Sequence, residues 1–402
     1  VPDSDEQAIT ITQGHSKDYR PDLKQAVLEL MVSQDGGVPF VSKSWDGNTS
    51  DTKIFQERAA ALLATFQRSP TPRYLVADSK LYNEDNAANL LALGFITRIP
   101  NTLNLVSQVI TQALRWDTWQ RLDDTTRYQR VELCHYGMAQ RWLVVSSDAA
   151  VQRAEATVNK AQQREAEAIE KQLFHVQAKR FETPEAAKAA LDTLALAWQY
   201  HQVDAYRLLD HKRYACKGRP TPTTPLKAIA WQMQAQVRPH DEQLRQRKQH
   251  KACFVVGTNI DASQMSDAEV IRAYKGQAQA EGGFRFLKDP LFFVSSLFVK
   301  RPSRIQGLLM VMTSALLVYA VAQRRLRQQL VRHNETVPNQ IQQPTQRPTL
   351  RWVFQLLEGI HRVRVMVQGH VYDLIEGLNE VQINILRLFG EGVCRLYQIS
   401  PG

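Results

Sequence analysis

The sequence predicts an α/β protein, and three observations carry that prediction. Short β-branched runs alternate with helix-spaced stretches through the first hundred residues. A Gly- and Pro-free run rich in Ala, Glu, Gln and Lys extends over Asp148–Lys179, as a long helix requires. Strand-like runs then return at Arg141–Ser146 and Ala252–Gly257 on either side of that helix. At 402 residues, with 44% hydrophobic and 22% charged residues, the chain has the composition of a soluble globular protein; disordered, collagenous and disulfide-scaffold classes are excluded.

Each element follows from local chemistry. Ala26–Val32 and Val38–Ser42 flank Gln34-Asp35-Gly36-Gly37, which reads as a hairpin. Asn48-Thr49-Ser50-Asp51 offers cap residues for a helix over Ile54–Phe66. After Ser69-Pro70-Thr71-Pro72 a strand, Tyr74–Ala77, ends on Asp78. Asn83-Glu84-Asp85 starts a helix through Leu93, with Gly94 as its left-handed C′ residue, and Phe95–Ile99 is a further strand. Hairpin, helix, strand, helix, strand is the order of a ribonuclease-H-like fold that lacks its first strand. Beyond the long helix, Thr183-Pro184-Glu185 starts a second one to about Tyr200, giving a helical hairpin. Ser266-Asp267-Ala268-Glu269 is a capping box that opens one helix over Ser266–Leu287. Ile305–Val321 reads as a buried helix. A polar linker, Asn334–Pro348, leads to a C-terminal region with helices at Leu350–Leu357 and Val381–Tyr397 around strands at Val363–Val371. The predicted organisation is a first core part at 1–100, an α+β insertion at 101–262, two core-completing helices at 263–330, and a C-terminal region at 331–402.

Charge narrows the partner. The net charge is +10, and Lys212–Lys251 alone holds ten Lys and Arg against two acids, with Tyr214 and Trp231 among them. Basic side chains neutralise phosphates and aromatic faces stack on bases, though a basic loop can also be merely solvated. Cys134, Cys216, Cys253 and Cys394 stand singly, as reduced cytosolic thiols do. Val1–Gln13 is not a signal peptide, and Ile305–Val321 is shorter than the roughly 20 apolar residues of a membrane span. The expected setting is therefore cytoplasmic and free of membrane.

Two acids stand out. Asp78 follows a strand, where open α/β sheets place catalytic carboxylates and where turn-forming Asp is also common. Tyr274, Gln277, Glu281 and Lys288 recur at steps of three, four and seven, which keep side chains on one helical face, and Arg285 lies four residues beyond Glu281. On an ordinary amphipathic helix, Glu281 and Arg285 would form a modest surface ion pair.

The Tyr-x2-Gln-x3-Glu-x6-Lys spacing resembles the Tyr–Arg–Glu–Lys signature of bacterial insertion-sequence DDE transposases of the IS-four superfamily. The likeness continues through Phe284-Arg285-Phe286-Leu287-Lys288 and Arg304-Ile305-Gln306. The blocks Gly14–Gln25, Trp45–Asp51, Ala77-Asp78-Ser79 and Gln346–Trp352 resemble the sixteen-thirty-four-like subfamily. The resemblance implies a ribonuclease-H-like catalytic core in which Asp78 and Glu281 are the second and third metal-binding acids. It implies two Mg²⁺ or Mn²⁺ ions, cleavage and strand transfer of double-stranded DNA, a homodimer holding two transposon ends, and a nucleoid-associated bacterial setting. Tyr274, Gln277, Arg285 and Lys288 would contact DNA, and Trp231 would stack on an unpaired base or else serve as a core tryptophan. The insertion explains the 203-residue step from Asp78 to Glu281. Gln277 replaces the signature arginine, which costs a charge and a bidentate fork. The first acid belongs upstream of Gly14. Asp3 and Asp5 are the aspartates there and no strand precedes them, so the expectation is an N-terminally truncated transposase. The alternative is a catalytically dead remnant that still binds DNA or dimerises.

Overall fold

Residues 8–15, 20–66, 74–116, 118–215, 219, 221–222, 224–289, 299 and 301–400 are described by a computed structural model; the side chains of 63–66 are not. Asp3, Asp5, Ser16–Tyr19, Ser69–Pro72, Cys216 and Lys217-Gly218 lie outside the described residues. In chain order the elements are β1 (Val27–Val32), β2 (Pro39–Trp45), α1 (Asp51–Phe66), β3 (Tyr74–Ala77), α2 (Ala87–Ala92), β4 (Gly94–Arg98), α3 (Asn104–Trp116), β5 (Gln120–Arg121), β6 (Thr126–His135) and β7 (Met138–Ser147). There follow α4 (Asp148–Gln177), α5 (Pro184–Ala195), β8 (His201–Tyr214), β9 (Leu226–Pro239), α6 (Asp241–Lys251), β10 (Cys253–Thr258), α7 (Asp267–Lys275), α8 (Ala278–Lys288) and α9 (Pro302–Arg332). The C-terminal region adds α10 (Leu350–Leu356), β11 (His361–Val367), β12 (His370–Glu376), α11 (Glu380–Leu388) and α12 (Glu391–Leu396). This is an α/β chain in two compact units, Val1–Ser69 with Arg272–Gly402, and Pro70–Ile271; the division falls inside α7.

The unit Pro70–Ile271 is built on a six-stranded mixed sheet in the order β3-β4-β10-β7-β6-β5. β3 and β4 are parallel, joined through α2; β10 is antiparallel to both β4 and β7. Trp142, Leu143, Val144 and Val145 on β7 are all fully buried although successive residues point to opposite faces, so both faces of the sheet are covered there. Val106, Val109, Ile110 and Ala113 supply the buried stripe of α3. β3 and β4, expected with residues 1–100, thus share a sheet with strands from the region expected as an insertion.

Several expectations change for identifiable reasons. Gly94 is not a left-handed cap: Leu93 is extended and Gly94 opens β4. The carbonyls of α2 are satisfied from far along the chain, since Asn259 Nδ2 donates to Leu90 O and Leu93 O at 2.9 Å each while its Oδ1 accepts from Phe95 N at 3.0 Å. Among the described residues, the basic stretch runs through the end of β8, all of β9 and α6. Its inner residues Met233, Ala235 and Val237 pack with Ile169, Leu173, Ala187 and Leu191 of α4 and α5, a tertiary contact invisible to local pattern.

In the other unit, β1 and β2 form the predicted hairpin, from Val27↔Trp45 to Val32↔Pro39. Glu29, 9% exposed, accepts from Trp45 Nε1 at 3.1 Å and from both Nε and Nη2 of Arg58, tying α1 to the hairpin. The buried helix expected at Ile305–Val321 is the longer α9, and it is buried only along Met312, Leu316, Ala320, Leu326 and Leu330. Met310, Val311 and Val318 are 73%, 65% and 69% exposed, because a helix buries only the stripe that meets its neighbours. Among the described residues, α9 is the helix long and apolar enough to cross a membrane.

Glu165 of α4 secures the entry to β8. Its Oε1 accepts from Gln199 N at 2.6 Å, and its Oε2 from Tyr200 N and His201 Nδ1 at 2.7 and 2.8 Å. Burial pushes the carboxyl's pKa up, but the Gln199 N–H, the His201 ring and the Tyr200 N–H outweigh it and the net shift is downward. A carboxyl depressed in the folded state stabilises above its unfolded pKa and loses that contribution as pH falls through the folded value. Glu165→Gln is therefore expected to cost about 2 kcal/mol in urea melts at pH 7, with a difference from wild type that shrinks below about pH 4. An unchanged difference at low pH would remove the ionic assignment.

Candidate functional site

Asp78 stands directly beyond the C-terminal end of β3, at the parallel edge of the sheet. In open α/β sheets, strand C-termini are where ligands gather. Its backbone is extended, with φ −74° and ψ 179°; Oδ1 accepts from Lys80 N at 2.9 Å and caps the single turn Ser79–Leu81. Thr97 of β4 donates its hydroxyl to Asp78 O at 2.7 Å, so the neighbouring strand fixes the acid's main chain. Tyr82 closes the turn. It is 2% exposed, donates to Gln140 Oε1 at 3.0 Å, and lies 2.8 Å from His135 Nδ1. Burial pushes the Tyr82 hydroxyl pKa up and that of His135 down, so both stay neutral near neutrality.

Glu281 is exposed in the first turn of α8. The expected single helix is instead α7 and α8 joined at Gly276-Gln277. There Gln277 N, Gln279 N and Ala280 N each bond the carbonyl three residues back, at 3.0 Å. Glycine has low helix propensity, and the i→i−3 bonds tighten the turn. Glu281, Arg285 and Lys288 keep a common face on α8, whereas half-buried Tyr274 lies on α7 and half-buried Gln277 in the turn. The ion pair of the plain amphipathic reading does not form: among the described residues Glu281 is without a salt-bridge or side-chain hydrogen-bond partner, and Arg285 is exposed.

The position of α8 is set from three sides. Before its N-terminal end, Gln34 Nε2 donates to Ala273 O of α7 at 3.2 Å, the hairpin tip at Gly37 lies against Gln279 of α8, and Asp35 pairs with Arg324 of α9. Midway, Gly283 passes so close that a Cβ would meet Leu30 at 3.0 Å and Leu316 at 3.3 Å. At the far end, Asp289 pairs with Arg351, whose N–H donates to Tyr319 Oη at 3.0 Å, and Phe286 packs on Tyr319 with ring centroids 4.7 Å apart. The Gln346–Trp352 block thus has a visible structural task. Thr349 caps α10, Arg327 donates to Pro348 O, and Trp352 Nε1 donates to Pro338 O. Likewise Asp46 accepts from Thr10 N, and Gln25 donates to Gly47 O. Pattern reading missed the Gln34, Asp35 and Arg324 supports, because contacts between residues more than 230 positions apart leave no local spacing.

Trp231 lies on β9, half-buried, opposite Asp210. Its main chain is held by reciprocal bonds with Phe181, at 2.7 and 2.8 Å. Asp78 and Trp231 belong to the unit Pro70–Ile271, whereas Tyr274, Gln277, Glu281, Arg285 and Lys288 belong to the other. Among the described residues, no three His, Cys, Asp or Glu side chains gather into a metal-binding group. No family model, curated protein or solved structure matches the chain.

Gly36, with φ +142°, brings the hairpin tip against Arg324, where a Cβ would lie 2.9 Å from the arginine Cβ. Gly36→Ala is expected to destabilise the hairpin and its unit by about 1–3 kcal/mol. It should also raise amide exchange at the start of α8, read by hydrogen exchange. Exchange at Ala278–Glu281 equal to wild type would mean the tip does not support that helix.

Proposed function

We propose that the chain is a metal-dependent DNA transposase, with Asp78 and Glu281 as acids of its catalytic centre in a ribonuclease-H-like core. The observation that carries this reading is the unspent chemistry of the two carboxylates. Asp78 gives one oxygen to its own turn and has no ion-pair partner among the described residues, while Glu281 declines the pair offered by Arg285. Carboxylates held out of structural ion pairs are free to bind cations or act on a substrate. The succession β1–β2, α1, β3, α2, β4 follows the strand and helix order of such a core without its first strand, with β1–β2 paired only to each other and β3–β4 in the six-stranded sheet.

The donor chemistry suits Mg²⁺ or Mn²⁺, since hard divalent cations take carboxylate oxygens, and Asp78 and Glu281 would hold them. When bound, two such ions supply a nucleophile and stabilise the leaving oxygen of an in-line phosphoryl transfer. The chain's own residues do the rest. The Ser79–Leu81 turn and the Thr97 hydroxyl fix Asp78. Arg285 and Lys288, on the face of Glu281, would draw DNA phosphates toward it, and Tyr274 and Gln277 would add uncharged contacts. Trp231, with its main chain locked and its ring half-buried, would serve as a stacking surface. A homodimer would hold two ends together. The second reading is a DNA-binding or dimerising remnant without catalysis.

Nicking of a transposon-end duplex with Mn²⁺ separates the two. On the first reading wild type nicks, and Asp78→Ala and Glu281→Ala each lower the rate at least about 100-fold, the kinetic equivalent of several kcal/mol. Duplex binding without nicking under any divalent metal establishes the remnant instead. Gln277→Arg restores a bidentate phosphate donor and is expected to tighten end binding by up to about tenfold in gel-shift titrations at low salt. Unchanged affinity would take Gln277 out of the DNA contact.

A further inference from the structure

We propose that the outer half of the β8–β9 ribbon is an arm that binds duplex DNA through its phosphate backbone. The inference rests on the reading of the chain as a DNA-binding protein and assigns a contact outside the Asp78 and Glu281 region. Each strand has 14 residues, and their pairing runs from His201↔Pro239 to Tyr214↔Leu226. The inner half is anchored: Met233 is fully buried, Leu208 packs beside it, and Arg238 is neutralised by Asp204 at 3.0 Å. Past the Asp210↔Trp231 pair, and the main-chain bridge from Trp231 to Phe181, β8 and β9 pair only with each other among the described residues. A two-stranded ribbon with both edges open is marginally stable in water, and such edges are ordinarily blunted or covered.

The outer half carries Lys212, Arg213 and Lys227 and no carboxylate. Lys212 leans back 3.5 Å to Asp210; Arg213 and Lys227 are exposed and make no ion pair among the described residues. The register brings these two together. Arg213 faces Ala228 and Tyr214 faces Leu226, so Lys227 is the extra residue of a bulge opposite the Arg213–Tyr214 step. Bulges re-aim side chains and recur at sheet edges and beside functional sites. Three like charges on a slender ribbon repel one another in water, and a polyanion reverses that cost through counterion release. A two-stranded ribbon matches the B-form major groove in width, whereas the major groove of A-form RNA is too deep and narrow to admit it.

The test uses the full chain and a DNA duplex of about 30 base pairs, with affinity read by fluorescence anisotropy across a salt series. The variant Lys212→Gln/Arg213→Gln/Lys227→Gln is expected to bind roughly tenfold or more weakly at low salt. Its log–log salt slope should be shallower by about two to three. A control, Lys160→Gln/Arg164→Gln/Lys171→Gln, removes the same charge from exposed positions on α4 and should keep the wild-type slope. Matching thermal melts show that both variants fold. Equal losses in variant and control would overturn the arm in favour of bulk charge. A wild-type slope in the arm variant would overturn the arm and leave the transposase reading standing. Failure of wild type to bind any duplex would overturn both. Binding to phosphatidylglycerol vesicles that needs the three cations, with DNA affinity unaffected, would replace DNA by a lipid surface.

Discussion

The sheet that carries Asp78 exists because β10 inserts between β4 and β7. Without Cys253–Thr258, the parallel pair β3–β4 and the antiparallel set β5–β6–β7 have no hydrogen-bonded connection. Val255, Val256 and Thr258 are fully buried in that slot, and Gly257 leaves room for Ile99 and Trp142, since a Cβ there would lie 2.5 Å from Ile99. The next residue, Asn259, then closes the end of α2, the crossover between the two parallel strands. A strand more than 150 residues downstream therefore determines where Asp78 sits. Loop closure over that distance is costly in entropy and is repaid only when both faces of the sheet are buried.

Glu281 is positioned by the same kind of logic in the other unit. α8 is short, breaks from α7 at a glycine, and would be marginal as an isolated helix. Its stability and direction come from the hairpin tip at one end, Leu30 and Leu316 at Gly283, and the Asp289–Arg351 pair at the other. These are contacts from three distant segments. The face bearing Glu281, Arg285 and Lys288 is exposed, so polar residues there incur no burial penalty.

Charge distribution adds a third theme. Along the ribbon Arg238 pairs with Asp204 and Lys212 with Asp210, while Arg213 and Lys227 at the bulge make no ion pair among the described residues. All of these side chains are exposed, so the two ion pairs contribute little and water solvates the unpaired cations.

The sequence by itself determined the elements whose signals are local. The hairpin around Gln34–Gly37, the helix capped at Ser50, the strand ending at Asp78, the Thr183-Pro184 helix start and the Ser266–Glu269 capping box all form, because each rests on backbone and side-chain chemistry within a few residues. The same locality made Asp78 and Glu281 legible as candidates. Only the tertiary structure decided that β8 and β9 pair as one long ribbon, that α9 buries one stripe instead of its circumference, and that Asn259 replaces a glycine cap on α2. It also decided that the Glu281 helix begins anew after Gly276. In each case the deciding atoms lie on another segment, and partners distant in sequence leave no periodicity or spacing for the sequence to display.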